Sequence, residues 1–379
     1  MSDSTSSSTV ASVVIIGCGC PLRSMGWYHA EQLLAGRCPS ARLVAIVEPF
    51  YMATHASSNV PGYSEFHSWR QQKETKDGIQ FYSCVSDLLP KAAGEVRLGI
   101  ISARTADNPG LFTDCIQSQN ANFHTILLEK PGAPTVADLI RMSDMARDAG
   151  VHVYMGFNKN VSSYVERSLS YAATAAADTN QKLDITFYHN NAYKKEDLPE
   201  CFERNSEGIL KNMAIHELAI LVTYYNVTVE TIANVTTDKV YTSCLTLTGP
   251  DSGKTYTDFD RIKFKILTTT GVEINVAADR CGGNDSIGII SNGTLGDELV
   301  RFTMPDAETI SNIPTLEQLY PGAMPYFFTQ DPDYCKLKER VANSCIDGTA
   351  TPNGVASIDT AIVSLQLAEY LTPIIQSSL

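Results

Sequence analysis

The chain has 379 residues, is 44% hydrophobic and 19% charged, and carries a formal net charge of −13. That length favours two domains over one, and the composition is that of an ordinary globular protein. A surface this acidic repels phosphate backbones and anionic lipid, so nucleic acid and membrane are excluded as expected partners; an anionic cofactor held by backbone amides at a helix start is not.

Residues 1–10 open with MSDSTSSST, a polar stretch without basic residues or an apolar core, expected to be a disordered lead-in. No run of about 18 apolar residues occurs, so no membrane span is expected. The ten cysteines are scattered and form no C-x-x-C, which points to reduced thiols and a cytoplasmic protein. No H-x-H, H-E-x-x-H or carboxylate cluster suggests a metal.

From residue 11 the chain alternates strand and helix. Val13–Ile16 is a short apolar run suited to a strand buried on both faces. Tyr28–Leu34 reads as a helix, and Arg42–Val47 as the next strand, ending at Glu48. A short helix is expected at Val85–Leu89, strands at Val96–Ser102 and Thr125–Leu128, and a helix at Pro109–Gln119 between them. Thr135 has the character of an N-cap with Asp138 three residues on; Leu139, Met142, Met145 and Ala146 follow at helical spacing, and Gly150 supplies the stop. Val151–Phe157 is a further buried strand. This alternation implies a doubly wound parallel sheet, a Rossmann-type domain, over residues 11–157.

Past residue 157 the pattern changes. Leu183–His189, Thr231–Thr237, Ser243–Leu247, Arg261–Thr268, Glu273–Ala278 and Ile287–Ser291 are strand-like runs split by turn residues. The runs flanking Thr269-Thr270-Gly271 read as a hairpin, and Gly249-Pro250-Asp251-Ser252-Gly253 as a surface turn.

The first strand feeds into Gly17-Cys18-Gly19-Cys20-Pro21-Leu22-Arg23-Ser24-Met25-Gly26. As it stands this is not G-x-G-x-x-G, because Leu22 occupies the third glycine position. Removing residues 20–23 leaves Gly17-Cys18-Gly19-Ser24-Met25-Gly26, which is the dinucleotide-binding pattern. Gly17 then allows the tight turn, Gly19 the approach of a pyrophosphate, and Gly26 close packing of helix on strand. An ordinary glycine-rich loop that binds nothing has the same composition. Glu48 at the end of the second strand stands where an acid accepts hydrogen bonds from ribose hydroxyls, which favours NAD over NADP. Arg23 weakens that preference, since it is placed to clamp the pyrophosphate or to meet a 2′-phosphate.

Glu129-Lys130-Pro131 closes a buried strand and is followed by a capped helix and another strand, "VHVYMGFNKN"; "GILKNMAIHELAILVTYYN" follows later. Together with the strand at Val13 and with His29, these segments resemble the Gfo/Idh/MocA oxidoreductases, which include glucose–fructose oxidoreductase and inositol dehydrogenase. The resemblance implies a second α+β domain with a large, open, mostly antiparallel sheet, over residues 158–379. It implies NAD or NADP as cofactor, and a sugar, cyclitol or related small molecule as substrate. It also implies that Gly17, Gly19, Ser24, Met25, Gly26, Glu48, Arg104, Glu129 and Lys130 line the dinucleotide site, with Lys130 and His216 catalytic.

Lys130, at the carboxyl end of a central strand, faces the ligand crevice of such a sheet; there it would stabilise the oxyanion that develops as hydride leaves carbon. His216 would take a hydroxyl proton near neutral pH. Its spacing from Asn212 places both on one face of a single helix. Asn158, Lys159, Asn212 and His216 are the expected substrate-binding set. The family usually has an aspartate at position 212, and often another at 219; here they are Asn212 and Ala219, so the carboxylate that would orient His216 is missing. A non-catalytic dinucleotide-binding sensor and an imine-type reductase are the alternatives. A sheet with one uncovered face would expose an apolar patch, so a homodimer or homotetramer is expected.

Overall fold

The structure is a computed structural model and describes residues 10–53, 59–179, 183–293 and 297–379. The expected lead-in therefore lies outside the described residues, except for Val10. The chain forms two compact units: one takes in residues up to Gly156 together with Leu316–Phe327 and Tyr334–Ile358, and the other takes in Phe157–Thr315, Phe328–Asp333 and Asp359–Leu379.

The first unit is built on β1 (Ala11–Ile16), α1 (Met25–Leu34), β2 (Ala41–Val47), α2 (Tyr63–Asp77), β3 (Gln80–Tyr82), β4 (Arg97–Ile101), α3 (Asn108–Gln117), β5 (Thr125–Leu128), α4 (Val136–Ala149) and β6 (His152–Met155). All six strands run parallel in the order β3-β2-β1-β4-β5-β6. Every residue of β1 and β5 is buried, as a strand covered on both faces requires. The order reverses between β1 and β4, and at such a switch point ligands bind beyond the strand ends. Thr135 caps α4 as expected, its Oγ1 accepting from the Asp138 amide at 3.1 Å, and Gly150 ends that helix in a left-handed conformation. Sequence reading passed over α2 and β3. Helix α2 buries only Phe66 and Trp69, too narrow an apolar stripe to show as a period. Segments far along the chain complete this unit: Tyr28 stacks on Phe327 at 4.7 Å, and Trp27 meets Tyr320 edge-on at 5.6 Å.

The second unit contains α5 (Ser163–Thr179), β7 (Leu183–Asn190), α6 (Leu198–Arg204), α7 (Ile209–Asn212), α8 (Ile215–Tyr225), β8 (Ile232–Thr237), β9 (Ser243–Thr248), β10 (Thr255–Thr268), β11 (Glu273–Asp279), β12 (Ser286–Asn292) and β13 (Glu298–Met304). The remaining helices of the chain are α9 (Ala307–Leu319), α10 (Pro325–Thr329), α11 (Asp331–Asp347) and α12 (Ile358–Ser377). The sheet has seven strands, in the order β13-β12-β7-β11-β10-β8 with β9 also paired to β10. Its pairings are antiparallel except β11 with β7. The hairpin at Thr269-Thr270-Gly271 joins β10 to β11, and β13 is a strand that sequence reading missed.

One face of this sheet, with Ile185, Phe187 and Ile266 buried, packs under the helices. The opposite face departs from expectation. It mixes charged and apolar groups: Lys265 bridges Asp184 at 3.4 Å and Glu273 at 2.9 Å, and Arg301 and Asp279 lie on the same side with Tyr188, Tyr241, Ile287 and Ile289. Helix α12 is long and apolar enough to cross a membrane by length and composition. Its Ala361, Leu365, Leu367, Ala368, Leu371 and Ile375 are nonetheless buried, as in a core helix.

Candidate active site

The glycine turn adopts the geometry that its composition asks for. Gly17 and Gly19 have φ of +78° and +74°, a region that side chains rarely enter. A Cβ on Gly17 would lie 2.7 Å from the Ala103 backbone, and one on Gly26 would lie 2.6 Å from the Gly17 carbonyl oxygen. Residues 20–23 form a closed turn, in which the Arg23 and Ser24 amides donate to the Cys20 carbonyl at 3.3 and 3.0 Å. Leu22 sits at φ +67°, a strained position for a leucine, and its carbonyl accepts from the Met324 amide at 3.0 Å. The extension is thus looped out, and α1 starts at Met25, next to the expected Gly26. Ser24 precedes it but makes no side-chain cap; its Oγ instead accepts from the Cys20 amide at 2.9 Å. The start of α1 therefore keeps its amides for an anion. Arg23 is exposed on the extension.

Glu48 is 2% exposed and lies against this turn. Its carboxylate accepts from the amides of Gly19 at 2.7 Å and Phe50 at 3.0 Å. Burial pushes its pKa up, and these amide bonds oppose the shift. Arg104 follows β4, is exposed, pairs with Asp107 at 2.8 Å and lies 5.6 Å over the Phe50 ring. That places it beside the end of β2, the adenosine side of a doubly wound sheet.

Glu129 and Lys130 follow β5, both half-buried. Glu129 is part of a chain that the sequence did not reveal. His29, fully buried on α1, meets Glu129 Oε1 through Nε2 at 2.9 Å and Lys338 Nζ through Nδ1 at 3.1 Å. Lys338 is 1% exposed and also donates to Gln32 Oε1 at 2.5 Å and to the Tyr334 carbonyl at 3.0 Å. Burial and the Lys338 charge push the His29 pKa down against the opposing effect of Glu129. A neutral ring between an ammonium and a carboxylate has one tautomer: Nδ1 accepts from Lys338 and Nε2–H donates to Glu129.

The expected substrate set lies in the second unit and divides. Asn158 is fully buried; its Nδ2 donates to Gln330 Oε1 at 3.0 Å, while its Oδ1 has no hydrogen-bond partner among the described residues. Lys159 is 2% exposed and pairs with Glu217 Oε1 at 3.0 Å. The other carboxylate oxygen, Oε2, meets His189 Nδ1 at 3.0 Å. Burial would raise the Glu217 pKa, but His189 and Lys159 outweigh it and hold it at about 2. His189 and His216 are ring neighbours, 5.9 Å between centroids, and Phe157 lies 5.8 Å from His216.

Asn212 and His216 do not share one helix. Helix α7 ends at Asn212, its last turn closes with the Ala214 amide bonded back to the Ile209 carbonyl, and α8 begins at Ile215. The Asn212 amide donates to Glu207 Oε1 at 3.0 Å on the exposed side. The i,i+4 argument that joined the two residues therefore fails. Sequence reading also missed Glu217. Its signal was present: a carboxylate inside the apolar run of α8 must find a buried partner.

A narrow polar cleft in this unit is lined by Lys159, His189, Asn190, Asp285, Gln330 and Asp333, among others. Among the described residues no group of three or more His, Cys, Asp or Glu side chains could hold a metal ion.

No family model matches the sequence, and no curated protein matches it. Solved structures do match. A myo-inositol dehydrogenase from Corynebacterium glutamicum is 16% identical, with a TM-score of 0.67 over 97% of each chain. A scyllo-inositol dehydrogenase from Lactobacillus casei, solved with NAD(H) and scyllo-inositol, is 12% identical, with a TM-score of 0.65 over 98% of each chain. This chain has their fold. An oxidoreductase from Agrobacterium radiobacter, solved with NAD+, L-tartaric acid and magnesium, is also similar, at 12% identity and a TM-score of 0.64 over 98% of this chain and 100% of the other. The expected fold class, a parallel Rossmann-type sheet followed by a mostly antiparallel one, is thereby observed, whereas the expected division at residue 158 is not: residues 316–327 and 334–358 belong to the first unit.

Proposed function

We propose that the protein is an NAD(P)-dependent oxidoreductase acting on a hydroxyl-bearing carbon of a sugar, cyclitol or related small molecule. The observation that carries this reading is the switch-point turn: Gly17, Gly19 and Gly26 at positions no side chain fits, an uncapped α1 behind them, and Glu48 at the end of β2. Similarity to dehydrogenases solved with NAD(H) and with NAD+ supports it. The amides of Met25 and Gly26 are assigned to the pyrophosphate, and Glu48, with Arg104 over Phe50, to the adenosine end. The bound nicotinamide supplies the hydride acceptor. Lys130 stabilises negative charge developing on the substrate oxygen. Asn158, whose Oδ1 lacks a partner among the described residues, and His216 hydrogen-bond substrate hydroxyls. A homodimer or homotetramer is part of the same proposal, and light scattering tests it; a stable monomer removes it.

The test titrates the purified full chain with NADH and with NADPH, then follows nicotinamide absorbance with NAD+ or NADP+ against myo-inositol, scyllo-inositol, D-glucose and L-tartrate. Binding of one dinucleotide and turnover of one probe are expected. Binding without turnover would favour the second reading, a dinucleotide-binding sensor, which is supported by the Asn212 side chain turning to Glu207.

A further inference from the structure

Cys38 and Cys335 are 297 positions apart in the chain and meet within the first unit. Cys38 lies in the connection between α1 and β2, and Cys335 lies on α11. Both are thiols. Cys38 Sγ donates to the Cys335 carbonyl at 3.7 Å and accepts a hydrogen bond from the Cys335 thiol. Ties on both sides fix the two segments. Lys338, one turn along α11 from Cys335, donates to Gln32 on α1 at 2.5 Å and meets His29 Nδ1 at 3.1 Å. Its neighbour Glu339 accepts from the amide and the hydroxyl of Ser40 at 3.1 and 2.6 Å. These bonds hold the backbones in register, so side-chain rotation is what separates the thiol contact from an S–S bond of about 2 Å. The two thiols are unequal. Cys38 is 1% exposed, whereas Cys335 is half-buried and is the one a small solute meets first. The hydrogen bond from Cys335 holds the Cys38 pKa down at about 7; burial and Glu339 oppose this, and the Lys338 and Arg37 charges assist it. A buried thiol without such neighbours goes the other way, as burial pushes Cys115 up. An accessible thiol thus stands before a buried one with thiolate character, the division of labour between a cysteine that meets an oxidant and one that resolves the product.

We propose that Cys38 and Cys335 form a reversible redox site, oxidised to an intramolecular disulfide by a low-molecular-weight disulfide such as oxidised glutathione. This stands independently of the oxidoreductase reading above. In the first step Cys335, giving up its proton, attacks one sulfur of the oxidant; the S–S bond of the oxidant breaks, a mixed disulfide forms on Cys335, and one glutathione leaves and takes up that proton. In the second step the Cys38 thiolate attacks the Cys335 sulfur, the mixed disulfide breaks, and the second glutathione leaves as a thiolate that takes up the proton Cys38 has lost. In all, two protein thiols are oxidised by two electrons and one small disulfide is reduced to two thiols. A small dithiol runs the same steps backwards. The link joins the leading segment of the first unit to a late one, across a long loop of chain, and so stabilises the folded protein.

The test equilibrates the purified, folded full chain with mixtures of oxidised and reduced glutathione, quenches in acid, alkylates the remaining thiols and maps the peptides by mass spectrometry. A linked Cys38–Cys335 peptide that disappears on treatment with dithiothreitol is expected, with a urea midpoint above that of the reduced protein. Cys38→Ser is expected to stop the reaction with glutathione held on Cys335, and Cys335→Ser to leave Cys38 reduced. Full alkylation of both cysteines after treatment with oxidised glutathione alone overturns the proposal. So does wild-type protein that keeps glutathione on Cys335 while Cys38 is alkylated, a link that appears only in urea, or a link that lowers the urea midpoint. None of these readings depends on dinucleotide binding or turnover, so failure here and failure of the oxidoreductase reading are separate results.

Discussion

Each unit of the molecule buries a chain of one lysine, one histidine and one glutamate, and the two chains are wired in opposite order. In the first unit the imidazole is central: Lys338 meets His29 Nδ1, and His29 Nε2 meets Glu129. In the second the carboxylate is central: Lys159 and His189 each take one oxygen of Glu217. The central member is the one consumed by its partners. His29 has both nitrogens committed to protein, so it is a spacer that carries Glu129 to a fixed place. Glu217 has both oxygens committed, so it ties Lys159 and one nitrogen of His189 to a single buried carboxylate. The same three residue types thus centre on an imidazole in one unit and on a carboxylate in the other.

The sharpest way to break this comparison is to remove the groups assigned to chemistry. Lys130→Met is expected to lower kcat by roughly 10²–10³-fold while leaving dinucleotide affinity within about threefold, measured by turnover and by fluorescence titration. Unchanged kcat would place the oxyanion elsewhere. Next comes the strut. Lys338→Met leaves Gln32 and His29 without their donor and Glu129 without its distant counter-charge, and it should destabilise the first unit by about 3–5 kcal/mol in urea unfolding. Turnover per folded molecule should fall far less than in Lys130→Met; an equal fall would give the strut a part in the chemistry.

The carboxylate-centred chain also has a pH signature. The Glu217 value of about 2 lies below the ordinary 4.5, so its stabilisation is fully present above pH 4.5 and is lost as pH falls through 2. The shift corresponds to about 3 kcal/mol. Glu217→Gln should therefore narrow the stability difference between pH 7 and pH 3, read as urea midpoints; an unchanged difference would mean that the pair contributes nothing. The smallest effect is expected at the proposed adenosine end: Arg104→Ala should change the ratio of NADH to NADPH affinity by about twofold to fivefold, of the order of one exposed charge. No change would take Arg104 out of the adenosine site.

Legibility in the sequence followed the range of the interaction that shapes each feature. Strands β1, β2, β4 and β5 were readable because burial on both faces leaves continuous apolar runs, and the Thr135 cap because its partner is three residues away. The extended glycine turn was readable once residues 20–23 were taken as an insertion. Helix α2 was not, since Phe66 and Trp69 alone face inward. The break between α7 and α8 was invisible because the apolar spacing runs through it without interruption. The two buried chains lay further out of reach. His29 and Lys338 are 309 positions apart, and Lys159 and Glu217 are 58 apart; no local period connects them. The one hint was a charged residue inside an apolar helix, which gives the need for a partner but not its name.

The first unit also has a history written into its chain order. Its glycine turn is tied at Leu22 to the amide of Met324, and its buried His29 waits for Lys338. During synthesis the six parallel strands leave the ribosome well before either partner exists. A nascent chain stopped after β6 would carry the whole sheet yet lack the tether of its glycine turn and the buried partner of His29, so that both would form late.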